Sequence, residues 1–271
     1  MSFFETYAFA GPLAAELLGV PGVHHLLSPM LPHEVIELAD DAVCPLWRAF
    51  GLHSMGYAGI YRNLTIEISP PSLEPLRVPQ GASVKLRPGP PPRPPTGGQG
   101  SERPLVYVSL GTFFGRNTEV FRAVLEGLAH EPVDVLVTVG RDQDPTALRD
   151  VAVNARIEQF IDQGEVMPNA AVVVHHGGSG TMFGSLTHGL PQVVIPQGAD
   201  NFVNAASLVR AGIGNALLPG DVTSQTVRDA VRRALDEPAY AAAGQRLAQE
   251  IAAMAGPSEV AAVVRDVARR R

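Results

Sequence analysis

Residues 171–205 read AVVVHHGGSGTMFGSLTHGLPQVVIPQGADNFVNA, and the order of residue types in this stretch decides the fold. The apolar run Ala171 to Val174 predicts a buried strand. A glycine-rich turn follows, His175-His176-Gly177-Gly178-Ser179-Gly180-Thr181, then a short helix and a second buried strand from Gln192 to Ile195. A strand that enters a helix through glycines presents backbone N–H groups at the positive end of the helix dipole, which suits an anion and phosphate above all. Glycines let the backbone approach closely because no Cβ intervenes. Ser179 and Thr181 add hydroxyl donors, and an imidazole at the strand end can donate to a phosphate oxygen. Gly177, Gly178, Ser179, Gly180 and Thr181 are therefore expected to form a diphosphate cradle.

Two common phosphate motifs do not fit. The P-loop needs a lysine after its last glycine, where this chain has Thr181. The dinucleotide fingerprint needs a third glycine where Phe183 stands. The run HHGGSGT, followed by Gly189-Leu190-Pro191, VVIPQ (193–197) and ADNFVNA (199–205), resembles the C-terminal domain of the GT-B glycosyltransferases. More narrowly it resembles the UDP-glycosyltransferase-like branch that decorates macrolide and enediyne natural products. The resemblance implies an α/β, GT-B type fold with a complete C-terminal doubly wound parallel-sheet domain and an incomplete N-terminal α/β domain. It also implies a hexosyltransferase-type activity. A sugar would pass from a dTDP- or UDP-sugar donor to a hydroxyl of a small-molecule acceptor, with inversion and with neither cofactor nor metal.

Residue roles follow from the same resemblance. Adjacent strand residues point to opposite sides, so His175 and His176 cannot serve one ligand equally; by position in the motif His175 contacts the phosphate and His176 is structural. Ser109-Leu110-Gly111-Thr112 is a second strand-to-turn segment, and Gly111 and Thr112 are expected against sugar and phosphate. Asp200 and Asn201 stand in place of an Asp-Gln pair that holds donor-sugar hydroxyls, Asn201 being one methylene shorter. Asp200 could equally cap the following helix. Phe160 occupies an aromatic position that packs on the nucleobase, with a core aromatic as the alternative; Gln163 keeps the family glutamine, while Asp162 replaces a proline. A zinc site from His175, His176 and His188 is disfavoured, since neighbouring histidines chelate poorly and no cysteine or carboxylate stands at ligand spacing.

Composition bounds the rest. The 271-residue chain is 45% hydrophobic and 18% charged, an ordinary globular balance. A net charge of −6 without a basic stripe argues against nucleic acid. Its single cysteine, Cys44, allows no internal disulfide, so a cytoplasmic location is the default. No run approaches the roughly 20 apolar residues of a membrane span.

Between Pro88 and Gly100 ten of thirteen residues are proline or glycine, which marks a linker. The expected organisation is a partial acceptor-binding domain over 1–80, a linker over 81–103, a nucleotide-sugar-binding domain over 104–255 and a C-terminal helix over 256–271. Ahead of the linker only Val20 to Leu27 and Leu64 to Ile68 read as strands, too few for a sheet with two covered faces. The run ETYAFAGPLAAELLGVPGVHH (5–25) and SPPSLEP (69–75) resemble the later part of the family's acceptor domain. The portion that carries the base histidine is then expected to be absent from this chain, leaving Glu5 as that histidine's acidic partner. A second chain or dimer mate would complete the domain, and this chain alone would transfer slowly or not at all. A non-catalytic nucleotide-sugar-binding subunit is the alternative. A nonhydrolysing sugar-nucleotide epimerase would need paired carboxylates that Asp200 alone does not supply.

Overall fold

The computed structural model describes residues 1–54, 56–73, 81–95, 102–111, 118–141 and 143–269. The chain separates into two compact units, one of residues 1–88 with 253–271 and one of residues 89–252.

The second unit is built on strands β5 (Leu105–Ser109), β6 (Asp134–Thr138), β7 (Ala155–Glu158), β8 (Ala170–His175), β9 (Gln192–Val194) and β10 (Gly214–Ala216). They lie in the order β10-β9-β8-β5-β6-β7, every pair parallel. The apolar runs are continuous because helices cover both faces of such a sheet. Alternation within a strand still divides the two cores. Val106, Val108, Val172 and Val174 face Phe121, Val124 and Leu125 of α3 (Thr118–Leu128) and Val227 and Val231 of α7 (Ser224–Asp236). Tyr107 and Val173, on the opposite face, pack with Leu136, Met167 and Leu190. Helix α7 opens with a capping box in which Thr223 and Thr226 satisfy each other's backbone amides.

Chain order reverses between β5 and β8, whose last residues Ser109 and His175 are register partners. Ligands of open parallel sheets bind beyond the carboxyl ends of the strands at such a reversal. The turns after β5 and β8 both open there.

The first unit differs from the expected pair of strands. It holds a four-stranded parallel sheet, β1 (Ser2–Glu5), β2 (Gly22–His25), β3 (Leu64–Glu67) and β4 (Ala82–Lys85), in that order. β1, SFFE, carries no continuous apolar run, and β4 lies in the segment read as the start of the linker. Helices α1 (Ala10–Leu17) and α2 (His33–Ala49) follow β1 and β2. The C-terminal helix α9 (Pro257–Arg269) belongs to this unit, where Val260 and Val264 pack on Val23, Leu64 and Ile66. Those two valines sit four apart, on one face of the helix. Among the described residues no helix is long and apolar enough to cross a membrane.

Candidate functional site

The turn after β8 is held by the histidine expected to serve the ligand. His175 is fully buried. Its Nδ1 accepts the Gly177 N–H at 3.0 Å, which leaves Nε2 to carry the proton and donate to Gln192 Oε1 at 2.7 Å. Burial above all, and then the neighbouring His176, push its pKa down to about 3. Expected at the phosphate, His175 has both ring nitrogens engaged within the protein, one by Gly177, which has φ +94°, and one by Gln192 of β9. A Cβ on Gly177 would lie 2.9 Å from the Asn201 carbonyl oxygen, so sterics and conformation both require glycine there.

His176, expected to be structural, lies between the two glycine turns. A Cβ on Gly111 would meet its Cε1 at 2.5 Å, and one on Gly178 would collide with its Nε2. Burial lowers the pKa of His176, opposed by a hydrogen bond with the Ser109 backbone and by the charge of Asp200. The glycines at 111 and 178 make room for this imidazole. Thr112 lies outside the described residues.

Helix α5 (Ser179–Thr187) starts here with Gly178 at its N-cap and no side chain capping its first turn. A Cβ on Gly180 would meet nothing within 4 Å, so this position faces open space. Thr181 Oγ1 accepts from Gln163 Nε2 at 3.1 Å, which ties the cradle to the start of α4 (Gln163–Val166). Asp162 caps α4 by accepting the Gly164 N–H at 2.9 Å, a role that proline could not fill.

The Asp200-Asn201 pair divides. Asp200 does not cap α6 (Asn201–Arg210) with its side chain; Oδ2 accepts from Ser179 Oγ and Asn204 Nδ2, each at 3.3 Å. It is part-exposed beside the cradle and preceded by Ala199 at φ +51°, a conformation that costs a residue with a side chain about 1 kcal/mol or more. Asn201 is only 3% exposed, and its amide, turned so that the nitrogen faces them, donates to the carbonyls of His176 (3.2 Å) and Gly198 (3.0 Å). Asn201, expected to reach a sugar, is thus bonded to the backbone on both sides of the turn.

Sequence reading missed Asn204 and Gln192. Asn204 is fully buried, and its amide nitrogen donates to the Gly177 carbonyl at 2.7 Å while also facing Ser179 Oγ and Asp200. Gln192, also fully buried, fixes His175. The available signal was an amide placed where helix or strand period demands an apolar residue.

Phe160 is no core aromatic. It lies beyond the end of β7, 54% exposed, with the Arg141 guanidinium 4.1 Å above its ring. In the first unit, Glu5 Oε2 accepts the Tyr7 N–H at 2.7 Å. His24 is enclosed there between Phe4 and Tyr61, bonded to Thr6 Oγ1, and burial with the nearby His25 lowers its pKa to about 4.

These two buried neutral histidines set an acid limit. The folded pKa of each lies below the unfolded 6.5, so the unfolded chain takes up the extra protons. Their contribution is complete above about pH 6.5 and is lost as pH falls toward the folded values. At pH 5 each should have cost about 2 kcal/mol. Urea unfolding at pH 7.5 and pH 5 checks this, and His24→Phe, which suits the aromatic surroundings, should flatten the dependence.

Residues 122–267, more than half of the chain, match the family described as erythromycin biosynthesis protein CIII-like, C-terminal domain. The 3-alpha-mycarosylerythronolide B desosaminyl transferase of Saccharopolyspora erythraea is 28% identical over 99% of this chain and 68% of its own length. Three further curated glycosyltransferases are matched over only 35% of their length. Among solved structures, the calicheamicin glycosyltransferase CalG4 superimposes with a TM-score of 0.80 at 24% identity, covering 99% of this chain and 75% of CalG4. The glycosyltransferase SsfS6 of Streptomyces sp. SF2575, solved with thymidine diphosphate, is 26% identical with a TM-score of 0.74, over 97% of this chain and 68% of that one. With its parallel sheets and the fold it shares with these enzymes, the chain has the GT-B glycosyltransferase architecture and belongs to the erythromycin biosynthesis protein CIII-like family.

Proposed function

We propose that this chain binds a dTDP- or UDP-sugar and transfers the sugar to a hydroxyl of a small-molecule natural product, inverting the anomeric carbon without a metal ion. The reading is carried by the opening of α5, an uncapped helix start among glycines with the His176 imidazole held between Gly111 and Gly178. In such a displacement the acceptor oxygen bonds to the anomeric carbon as the bond to the diphosphate oxygen breaks. The acceptor proton passes to a base. Negative charge grows on the departing diphosphate, where the first amides of α5 and the imidazole of His176 stabilise it in place of a divalent ion. Asp200, beside the cradle, accepts from sugar hydroxyls, and Phe160 with Arg141 offers a flat surface to the base. The thymidine diphosphate bound to SsfS6 supports this donor class.

Calorimetric titration with thymidine diphosphate and UDP tests the site. Binding of at least one is expected, weakened about tenfold or more by His176→Ala, which removes a hydrogen bond to a charged group. Undiminished affinity in that variant would remove His176 from the site. Transfer, where measured, should persist in excess chelator.

A second reading is a nucleotide-sugar-binding subunit that does not itself catalyse. A single-turnover product assay separates the two readings: binding without product supports the subunit.

A further inference from the structure

The hydrogen-bond ladder between β6 and β7 runs past both strand ends. Val139 N–H donates to the Glu158 carbonyl at 3.0 Å and Gly140 N–H to the Gln159 carbonyl at 2.9 Å. Gln159 Nε2 in turn donates to the Gln143 carbonyl at 3.1 Å. These bonds hold the turn after β6 against the turn after β7. Gly140, at φ +104°, bends the chain there, and the next residue, Arg141, lies over Phe160 with Cζ 4.1 Å from the ring centroid. Both residues are exposed, and among the described residues no second ring lies on the guanidinium. Phe160 also lines a cavity with Leu105, Leu136, Arg156 and Glu165. Leu105 opens β5 and Arg156 is the second residue of β7, so that cavity runs along the strands toward their amino ends. Arg141 follows β6 at the carboxyl end, the end at which the glycine turn after β8 opens.

We propose that the base of a bound nucleoside diphosphate stacks on the guanidinium of Arg141, with the Phe160 ring as the support beneath it. The stack rests on the reading of α5 as the diphosphate cradle. A base tethered to that diphosphate arrives beyond the carboxyl ends of the strands, where it meets the guanidinium before the ring. A guanidinium is planar and more weakly hydrated than an ammonium, so its two faces can take an aromatic ring and a base at once. The cation then lies between two π systems, each drawn to it. Lysine could not serve, because an ammonium keeps the charge but has no flat face. Phe160 acts through Arg141, which makes it a positioning residue.

Calorimetric titration of the full chain with UDP, thymidine diphosphate and inorganic pyrophosphate tests the stack. Pyrophosphate has no base, so it reports the cradle alone. Arg141→Lys should weaken both nucleotides about tenfold or more and leave pyrophosphate unchanged. Phe160→Leu should do the same. The double variant should be no worse than either single one, because the two side chains work as one unit. Equal or tighter nucleotide binding by Arg141→Lys would place the base directly on the ring and overturn the proposal. So would equal losses for nucleotides and pyrophosphate, or losses that add in the double variant. A parent chain that binds none of the three ligands would remove the cradle reading itself, and the stack with it.

Discussion

Gly180→Asp should abolish nucleoside diphosphate binding while leaving the fold at least as stable as before. Gly180 lies in the first turn of α5, and a side chain there would enter open space. Replacing a helical glycine recovers about 0.5–1 kcal/mol of backbone entropy. A carboxylate near a helix N-terminus adds about 0.3–1 kcal/mol through the dipole. The same carboxylate would stand where the cradle receives a diphosphate. Like charges a few ångströms apart at the surface repel by about 3 kcal/mol, a loss of more than 100-fold in affinity. Gly180→Asn, of the same size and neutral, should keep most of the binding. Thermal unfolding and calorimetric titration on the three proteins give opposite signs for the Asp variant if α5 holds the anion. Equal binding by all three would place the ligand elsewhere.

The second large effect is expected at a fully buried side chain. Asn204→Ala removes the amide that donates to the Gly177 carbonyl at 2.7 Å and that also faces Ser179 Oγ and Asp200 Oδ2. The residue is fully buried, so a carbonyl is left without its partner and a small cavity opens beside it. Such losses cost about 2–3 kcal/mol together, a fall of roughly 4–10 °C in Tm for a chain of this size. Affinity for the nucleotide should fall as well, because Gly177, Ser179 and Asp200 are all held through this amide. Asn204→Asp keeps the volume but sets a carboxylate against Asp200 and the Gly177 carbonyl. Its defect should be worse at pH 7 than at pH 5, where the added carboxyl begins to protonate. A variant that melts like its parent would show that the Gly177 turn needs no such support.

The turn was legible in the sequence because its chemistry is local. Glycines at 177, 178 and 180 between an apolar strand and a helix can form few other structures. The six strands of the second unit were legible for a similar reason, apart from β10, whose Gly214-Asn215-Ala216 has neither apolar period nor β-branching. β1 (SFFE) and β4 (ASVK) carry no continuous apolar run, and such short mixed segments stand out only once neighbouring strands pair with them.

Side-chain direction is where local reading stops. His175 and His176 are one residue apart, and alternation established only that they differ in direction. Which of them faces the opening depended on Gln192, seventeen positions along the chain, and on the glycine at 111 of another turn. Asn201 and Asn204 belong to the same class. Their amides satisfy carbonyls of residues 176, 177 and 198, and those contacts exist only once α6 lies against the turn.

The sequence by itself determined the parallel α/β architecture, the place of the glycine turn after β8 and the family, because each depends on periodicity and glycine within short spans. The tertiary structure alone decided which imidazole is enclosed, what Asp200 meets and what lies over the Phe160 ring. Those outcomes depend on burial and on hydrogen bonds between residues distant in the chain, and packing is what brings such residues together.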